Sequence, residues 1–377
     1  MSISRRFLSI MVATAIFLSL TSVAITFDIS TGQSIQEALN AAGPGDILAV
    51  RGGSYHESLN ITKPVILAGS NHPLLDSGAI GSAITLRADG ITVQGFDIRS
   101  TRQTGIRVLS SKNILVNNTI SGCLDGLRVD YSRGNFIAFN DINNNTNGVT
   151  LYASSGNTIR NNNIRDNNIN EESDCGIFLI HSQDNLILGN ELMENGDTSI
   201  SLRSCRNNTL QGNNVSHNDW YGISLSEASN GNLLLENHAD SNRDAGIYLD
   251  SSRGNVLRGN TASDNSRGIY LSFDSNDNLL EKNSVSGNDK GFHLANHAGN
   301  NTLWGNTAKN NGYGIYLSFS SGWNLIFQNR LIDNGCNAYD MAKTNRWDNG
   351  SIGNYYSDLG KVFYVPGGSG VDRHPMS

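Results

Sequence analysis

The chain has 377 residues, a formal net charge of −7 and only 16% charged residues, with 40 Gly and 5 Pro. Ordinary soluble domains carry roughly 25% charged residues, so this composition, with its over-used Asn, points to many turns and little exposed helix. The acidic balance and the lack of any Lys/Arg cluster exclude nucleic acid as a partner and exclude a polybasic membrane patch.

Residues 1–24 read as a secretory signal peptide. Arg5 and Arg6 precede the apolar run Phe7 to Leu20, which is too short for a comfortable bilayer span, and Ser22-Val23-Ala24 offers small residues for cleavage. The remainder is expected outside the membrane, secreted or at the cell surface. Contact with a membrane is expected only if the signal stays as an anchor.

Residues 25–100 are expected to form an N-terminal cap and the first irregular coils. Ser34-Ile35-Gln36-Glu37 has the spacing of a capping box, Ile35, Ala38, Leu39 and Ala42 share one helical face, and Gly43-Pro44 stops the helix. Gly90 and Gly95 are read as occupying the first two columns of the repeat that follows.

Residues 101–336 carry that repeat. Asn recurs in triplets with a spacing of five: Asn135, Asn140, Asn145; then Asn157, Asn162, Asn167; and so on to Asn324, Asn329, Asn334. Successive triplets are 22 to 24 residues apart, apart from one step of 28. After each triplet comes Gly, an apolar residue, any residue and another apolar residue, as in Gly268-Ile269-Tyr270-Leu271. Runs of three or four residues with period two, broken by Asn or Gly, are strands; neither helical periodicity nor βαβ crossovers are present. The expected fold is therefore all-β: a right-handed, single-stranded parallel β-helix of about ten to twelve coils with a capping helix at its N-terminus. Asn at the corners tolerates a left-handed backbone, and its amide can bond to the same residue on adjacent coils.

Such a fold leaves outward columns on which function can be sought. Two residues after the Gly position stand Phe178, Ser201, Ser224, Tyr248, Tyr270, His293 and Tyr316. Neighbouring coils lie about 4.8 Å apart, so Tyr248, Tyr270, His293 and Tyr316 form an aromatic stripe able to bind a glycan; the same stacking also favours strand pairing with no ligand. Glu227, Asp250 and Asp274 are expected to advance one column per coil beside it, and Glu227 with Asp250 is the candidate catalytic pair if the protein is a glycosidase. Asp130 with Arg107, Arg128 and Arg203 is expected as a second polar patch. The long coil holds an insertion, Asn168 to Cys175, containing Glu171, Glu172 and Asp174. Cys123, Cys175, Cys205 and Cys336 share no column on adjacent coils and are expected as free thiols. Eight His residues include only one close pair, His293 and His297, with no Met- or Cys-rich segment nearby, so no copper site and no cofactor is expected.

Residues 337–377 read as a C-terminal cap, with Trp347, Tyr355, Tyr356, Phe363 and Tyr364 supplying apolar cover. Gly105 to Asn334, with the segment Ser34 to Gly69, resembles the NosD-like and carbohydrate-binding/sugar-hydrolase (CASH) family of right-handed β-helix proteins. Asn337-Ala338-Tyr339-Asp340, Asn345-Arg346-Trp347-Asp348, Gly353-Asn354-Tyr355-Tyr356-Ser357-Asp358 and Asp372-Arg373-His374-Pro375-Met376 look like that family's C-terminal signature. The Asp- and Gly-rich loop that many members carry after Asp358 is missing. The reading favoured is a secreted or cell-surface protein that binds polysaccharide or surface glycan along its outer wall without catalysis. A polysaccharide lyase or glycoside hydrolase is the alternative, and an accessory role in a metal pathway is implied by the resemblance alone.

Overall fold

Runs such as Thr209–Gln211 and Thr261–Ser263 place one small or apolar residue between two polar ones, so each makes a short strand with a single inward side chain. In the computed structural model, which describes residues 24–79, 81–100, 102–168, 174–358 and 362–377, these strands coil into a right-handed parallel β-solenoid. The first sheet has 14 strands, from Thr26–Ile29 to Leu325–Phe327. The second has 13, from Leu59–Ile61 to Cys336–Asp340. The third runs for 8 strands to Asn214–Ser216, is reduced at His238 to isolated bridges, and resumes with 5 strands. The expected signal segment lies outside the described residues apart from Ala24, as do Glu171 and Glu172 of the insertion.

Three expectations about the N-terminal half need correction. There are about fourteen turns rather than ten to twelve, because the early turns lack the Asn triplet on which the count rests. Gly90 and Gly95 sit one residue before the Asn columns, whose places are taken by Ile91 and Phe96. A helix does form at Ile35–Ala41, but not as a lid that begins the solenoid: strand Thr26–Ile29 precedes it and is the outermost strand of the first sheet. Ser34 Oγ accepts from the Glu37 amide, yet the other free amides at that helix end, those of Ile35 and Gln36, donate to Glu57.

The bore is filled by residues such as Leu257, Ile269, Leu280, Leu303 and Ile315, all fully buried. Each such side chain contributes roughly 1.5–3 kcal/mol of burial. The Asn columns lie inside as well, and their φ angles are not left-handed. The left-handed residue is the one immediately before each Asn, for example Lys282 before Asn283 and Gly305 before Asn306. The ladder function is as expected. Asn260 Nδ2 donates to Leu234 O on the preceding turn (3.0 Å) and to Asn283 Oδ1 on the next (2.9 Å), and its Oδ1 accepts from the backbone and side chain of Asn237. Three such ladders run through the molecule. The third is interrupted once, at Ser199, which stands in the Gly column: its hydroxyl donates to Asn218 Oδ1 (2.8 Å) in place of Asn195 Nδ2, while the Asn195 backbone N–H keeps its bond to Asn218 Oδ1. At the far end the ladders finish on carboxylates. Asn345 donates to Asp340, Asn354 to Asp372, and Asn334 to Asn337, which in turn donates to Asp358.

No disulfide joins the four cysteines. Cys123 takes an Asn position, its amide donating to Asn145 Oδ1. Cys205 replaces a serine in a fourth ladder, accepting from the Ser182 amide while its own amide donates to Ser229 Oγ. At the C-terminal end Trp347 and Tyr356 are buried and Phe363 stacks on Tyr356, whereas Tyr364 is exposed and Tyr355 lies under the Arg330 guanidinium, so the apolar cover is narrower than expected.

Replacing Asn260 with Ala strands two buried donors on Asn237 and the Leu234 carbonyl. An expected cost of about 2–4 kcal/mol follows, read by hydrogen exchange as faster opening of the turns around Asn237 and Asn283 than of the distant ends.

Candidate functional site

The Gly column brings the strands of the second sheet close together: a Cβ on Gly268 would lie 2.6 Å from the Gly291 carbonyl oxygen. Two residues further on, side chains point away from the bore. Strand register places Ser224, Tyr248, Tyr270, His293, Tyr316 and Tyr339 in one column on consecutive turns. The predicted stripe is thus contiguous, and Tyr339 extends it by a turn. Its exposure differs from expectation, since Tyr248 is only 8% exposed and His293 7%. Ser224 is small, and the ring of Tyr221 takes the space above it.

The rings form a stack. Tyr221–Tyr248, Tyr248–Tyr270 and Tyr270–His293 have centroids 4.7, 5.0 and 4.6 Å apart with interplanar angles of 21, 23 and 11°. Tyr316 stands edge-on to His293 and parallel to Tyr339. Ring faces are therefore occupied by neighbouring rings, and the wall presents edges and phenolic oxygens rather than open faces. Two cations lie over it: the Arg267 guanidinium 4.7 Å from the Tyr270 centroid and the Lys290 ammonium 4.8 Å from that of Tyr316. Burial raises the Tyr221 phenol to about 12 and Tyr248 further. Burial, then Lys290 and Arg267, hold the His293 imidazole down at about 3, and its Nδ1 is buried without a hydrogen-bond partner.

Open aromatic faces occur on the turn that follows this sheet, where Phe273, Phe319 and Trp323 are exposed. Trp323 has φ 63° at the left-handed place that Asp277 and Asn300 fill on the two preceding turns. A bulky side chain in that conformation is uncommon and strained. With Asp277, His297 and Asn300 it lines a cleft of about 460 Å3.

The carboxylates do not gather as expected. Leu225 pairs with Leu249 and Asp250 with Ser272, which puts Asp250 one column before Glu227 and Asp274 one column beyond Glu227 rather than on a diagonal. Glu227 is exposed and pairs with Arg203 (3.5 Å), while Asp250 accepts from Tyr248 Oη (3.3 Å) and Ser251 Oγ. In the second patch Asp130 accepts from Arg107 (3.2 Å) and Arg128 (2.9 Å), and Arg128 also meets Asp125, so these guanidinium groups have buried carboxylate partners. Arg203 lies apart from it, over Phe178. Sequence reasoning missed Tyr221, Arg267 and Lys290, which lie three columns before the stripe. Tyr339 was visible at the same offset and was read only as part of the C-terminal signature.

A coiled all-β chain with a repeated inward Asn and a patterned outer wall defines a parallel β-helix repeat protein. The family described as periplasmic copper-binding protein (NosD) matches residues 65–238 and 221–360, and the chain belongs to that family. A comparison with curated proteins gives no match. Among solved structures, the chain is similar to the Dettilon tailspike protein (16% identity, TM-score 0.58, covering 77% of this chain and 62% of the tailspike). It is similar also to the A-module of a mannuronan C-5 epimerase of Azotobacter vinelandii (17%, TM-score 0.55, 82% and 90%). A third is a mannuronic acid-specific family 6 polysaccharide lyase from human gut microbiota (12%, TM-score 0.57, 82% and 87%). At these identities the likeness is one of fold. The chain's match spans about three fifths of the tailspike's length.

The family's metal can be tested against the residues. Among the described residues no three His, Cys, Asp or Glu side chains converge to hold a metal ion. Burial pushes the thiols of Cys123, Cys175 and Cys205 up to about 12, 12 and 11, which keeps them protonated and opposes thiolate ligation. The described residues do not fit a copper centre. Among the described residues no helix is long and apolar enough to cross a membrane.

Histidine in an unfolded chain titrates near 6.5. Since the folded imidazole titrates near 3, the unfolded state alone binds its proton in between. Its contribution to stability is complete above about pH 6.5 and declines as pH falls toward about 3, by on the order of a few kcal/mol. Denaturation across that range is expected to show a shallower acid slope in His293→Phe, which keeps the ring, than in the native sequence.

Proposed function

We propose that the protein is an extracytoplasmic polysaccharide-binding module that holds its ligand along the outer wall of the second sheet, across Tyr248, Tyr270, His293 and Tyr316, with the open aromatics of the adjoining turn at its edge. The observation that carries this reading is the unbroken aromatic column crowned by two cations. No packing need of the bore requires it, and the same column holds Ser or Thr on other turns. Tyr supplies apolar surface with a polar edge, a combination suited to sugars. The epimerase and lyase that share the fold carry names referring to mannuronan and mannuronic acid, which supports a glycan as the class of ligand. The description of the family as periplasmic, with the signal-like N-terminus, supports export.

Binding without turnover is the reading adopted, because Glu227 and Asp250 are engaged by Arg203 and by Tyr248 and Ser251. A glycan panel scored for both retention and release of reducing ends tests it. Retention without product is expected, with Tyr270→Ala and Tyr316→Ala each weakening affinity about tenfold and Trp323→Ala weakening it less. Turnover that Asp250→Ala abolishes overturns the reading in favour of a hydrolase or lyase.

A further inference from the structure

Arg267 and Lys290 are direct partners in the strand register of consecutive turns, so two positive side chains leave the wall from backbone positions one strand spacing apart, about 4.8 Å, with their head groups over Tyr270 and Tyr316. Like charges placed directly opposite one another destabilise a sheet, and in a chain of net charge −7 such a pair goes against the general balance. Their surroundings answer only half of the charge. Arg267 is ion-paired with Asp244. Lys290, by contrast, makes no ion pair among the described residues; Asp289 attracts it only weakly, and burial together with Arg267 disfavours its charged form. Beneath the two cations lies His293, more than nine-tenths buried, with Nδ1 unpartnered. The wall thus carries one uncompensated positive charge, fixed over Tyr316 and next to a guanidinium over Tyr270. Ring faces beneath are taken up by stacking, so an incoming sugar meets edges, phenolic oxygens and these two cations rather than a flat platform.

We propose that the ligand of this wall is an acidic polysaccharide, a uronate polymer, with a carboxylate seated between Arg267 and Lys290. This rests on the reading of the wall as a glycan site. Charge complementarity carries it: a carboxylate there supplies the missing counter-charge, accepts charge-assisted hydrogen bonds as the two flexible side chains close on it, and relieves the repulsion between neighbouring cations. Sugar hydroxyls of the same chain would reach the phenolic edges of Tyr270 and Tyr316. Further toward the N-terminus Arg107 and Arg128 offer no equivalent, because Asp125 and Asp130 already neutralise them.

The test uses the full chain with polymannuronate, polyguluronate and polygalacturonate, each measured beside its methyl ester, which has the same backbone without the charge. At least one acid form is expected to bind tenfold or more tightly than its ester, with an affinity that falls as salt is raised. Lys290→Gln is expected to erase that preference and Lys290→Arg to retain it, with circular dichroism confirming both folds. Equal affinity for acid and ester, or an acid preference untouched by Lys290→Gln, overturns the uronate assignment while leaving the glycan wall standing. Failure of all six polymers and of the neutral glycans of the panel overturns both.

Discussion

A buried side-chain amide is costly unless every one of its hydrogen-bonding groups is paired, and that constraint governs the whole molecule. Each inward Asn can be satisfied only by an Asn, or a close substitute, one turn before and one turn after. The spacing of five within a triplet and of 22 to 24 between triplets is the sequence form of that requirement. A turn that slipped by one residue would break three ladders at once and would also turn its bore residues outward. Register is therefore set by polar groups as firmly as by Ile and Leu.

Once register is secured from inside, the outer columns are free to vary. The column that holds Arg107 and Arg128 near one end holds serines at Ser201 and Ser224 and aromatic rings from Tyr248 to Tyr339. Chemistry can thus be graded along the axis without any change in the fold. The wall's two ends differ accordingly. Arginines near the N-terminal end are neutralised by buried aspartates, whereas toward the C-terminal end the cations sit on rings and one of them lacks a partner.

Much of the architecture was legible because the repeat is written directly in Asn, Gly and aliphatic spacing. The aromatic stripe followed by simple alignment of the Gly positions. What was not legible had physical causes. The turn count ran low since the early turns use residues such as Ile91 and Phe96 where later ones use Asn, giving no signal to count. The left-handed residue was assigned to the Asn itself, because propensity favours Asn there; the ladder, which needs the Asn side chain inside, displaced that role to the preceding residue. Exposure of Tyr248 was overestimated because alternation tells which way a side chain points, not what its neighbours cover. Lys290 and Arg267 passed unnoticed, since one surface charge in a sequence looks like any other until register stacks it on a second.

The ladders also have a direction. Each linking Asn hands an N–H to the next turn, with Ser199 handing on an O–H at the one break, so each column is a one-way relay that must end on a group able to receive without passing anything on. An amide cannot close such a relay, as it always has a further hydrogen to place. A carboxylate can, because it accepts only. Asp340, Asp358 and Asp372 occupy those last places. They act as punctuation for a repetitive text: the array could grow by whole turns anywhere upstream, but at these three residues it is told where to stop.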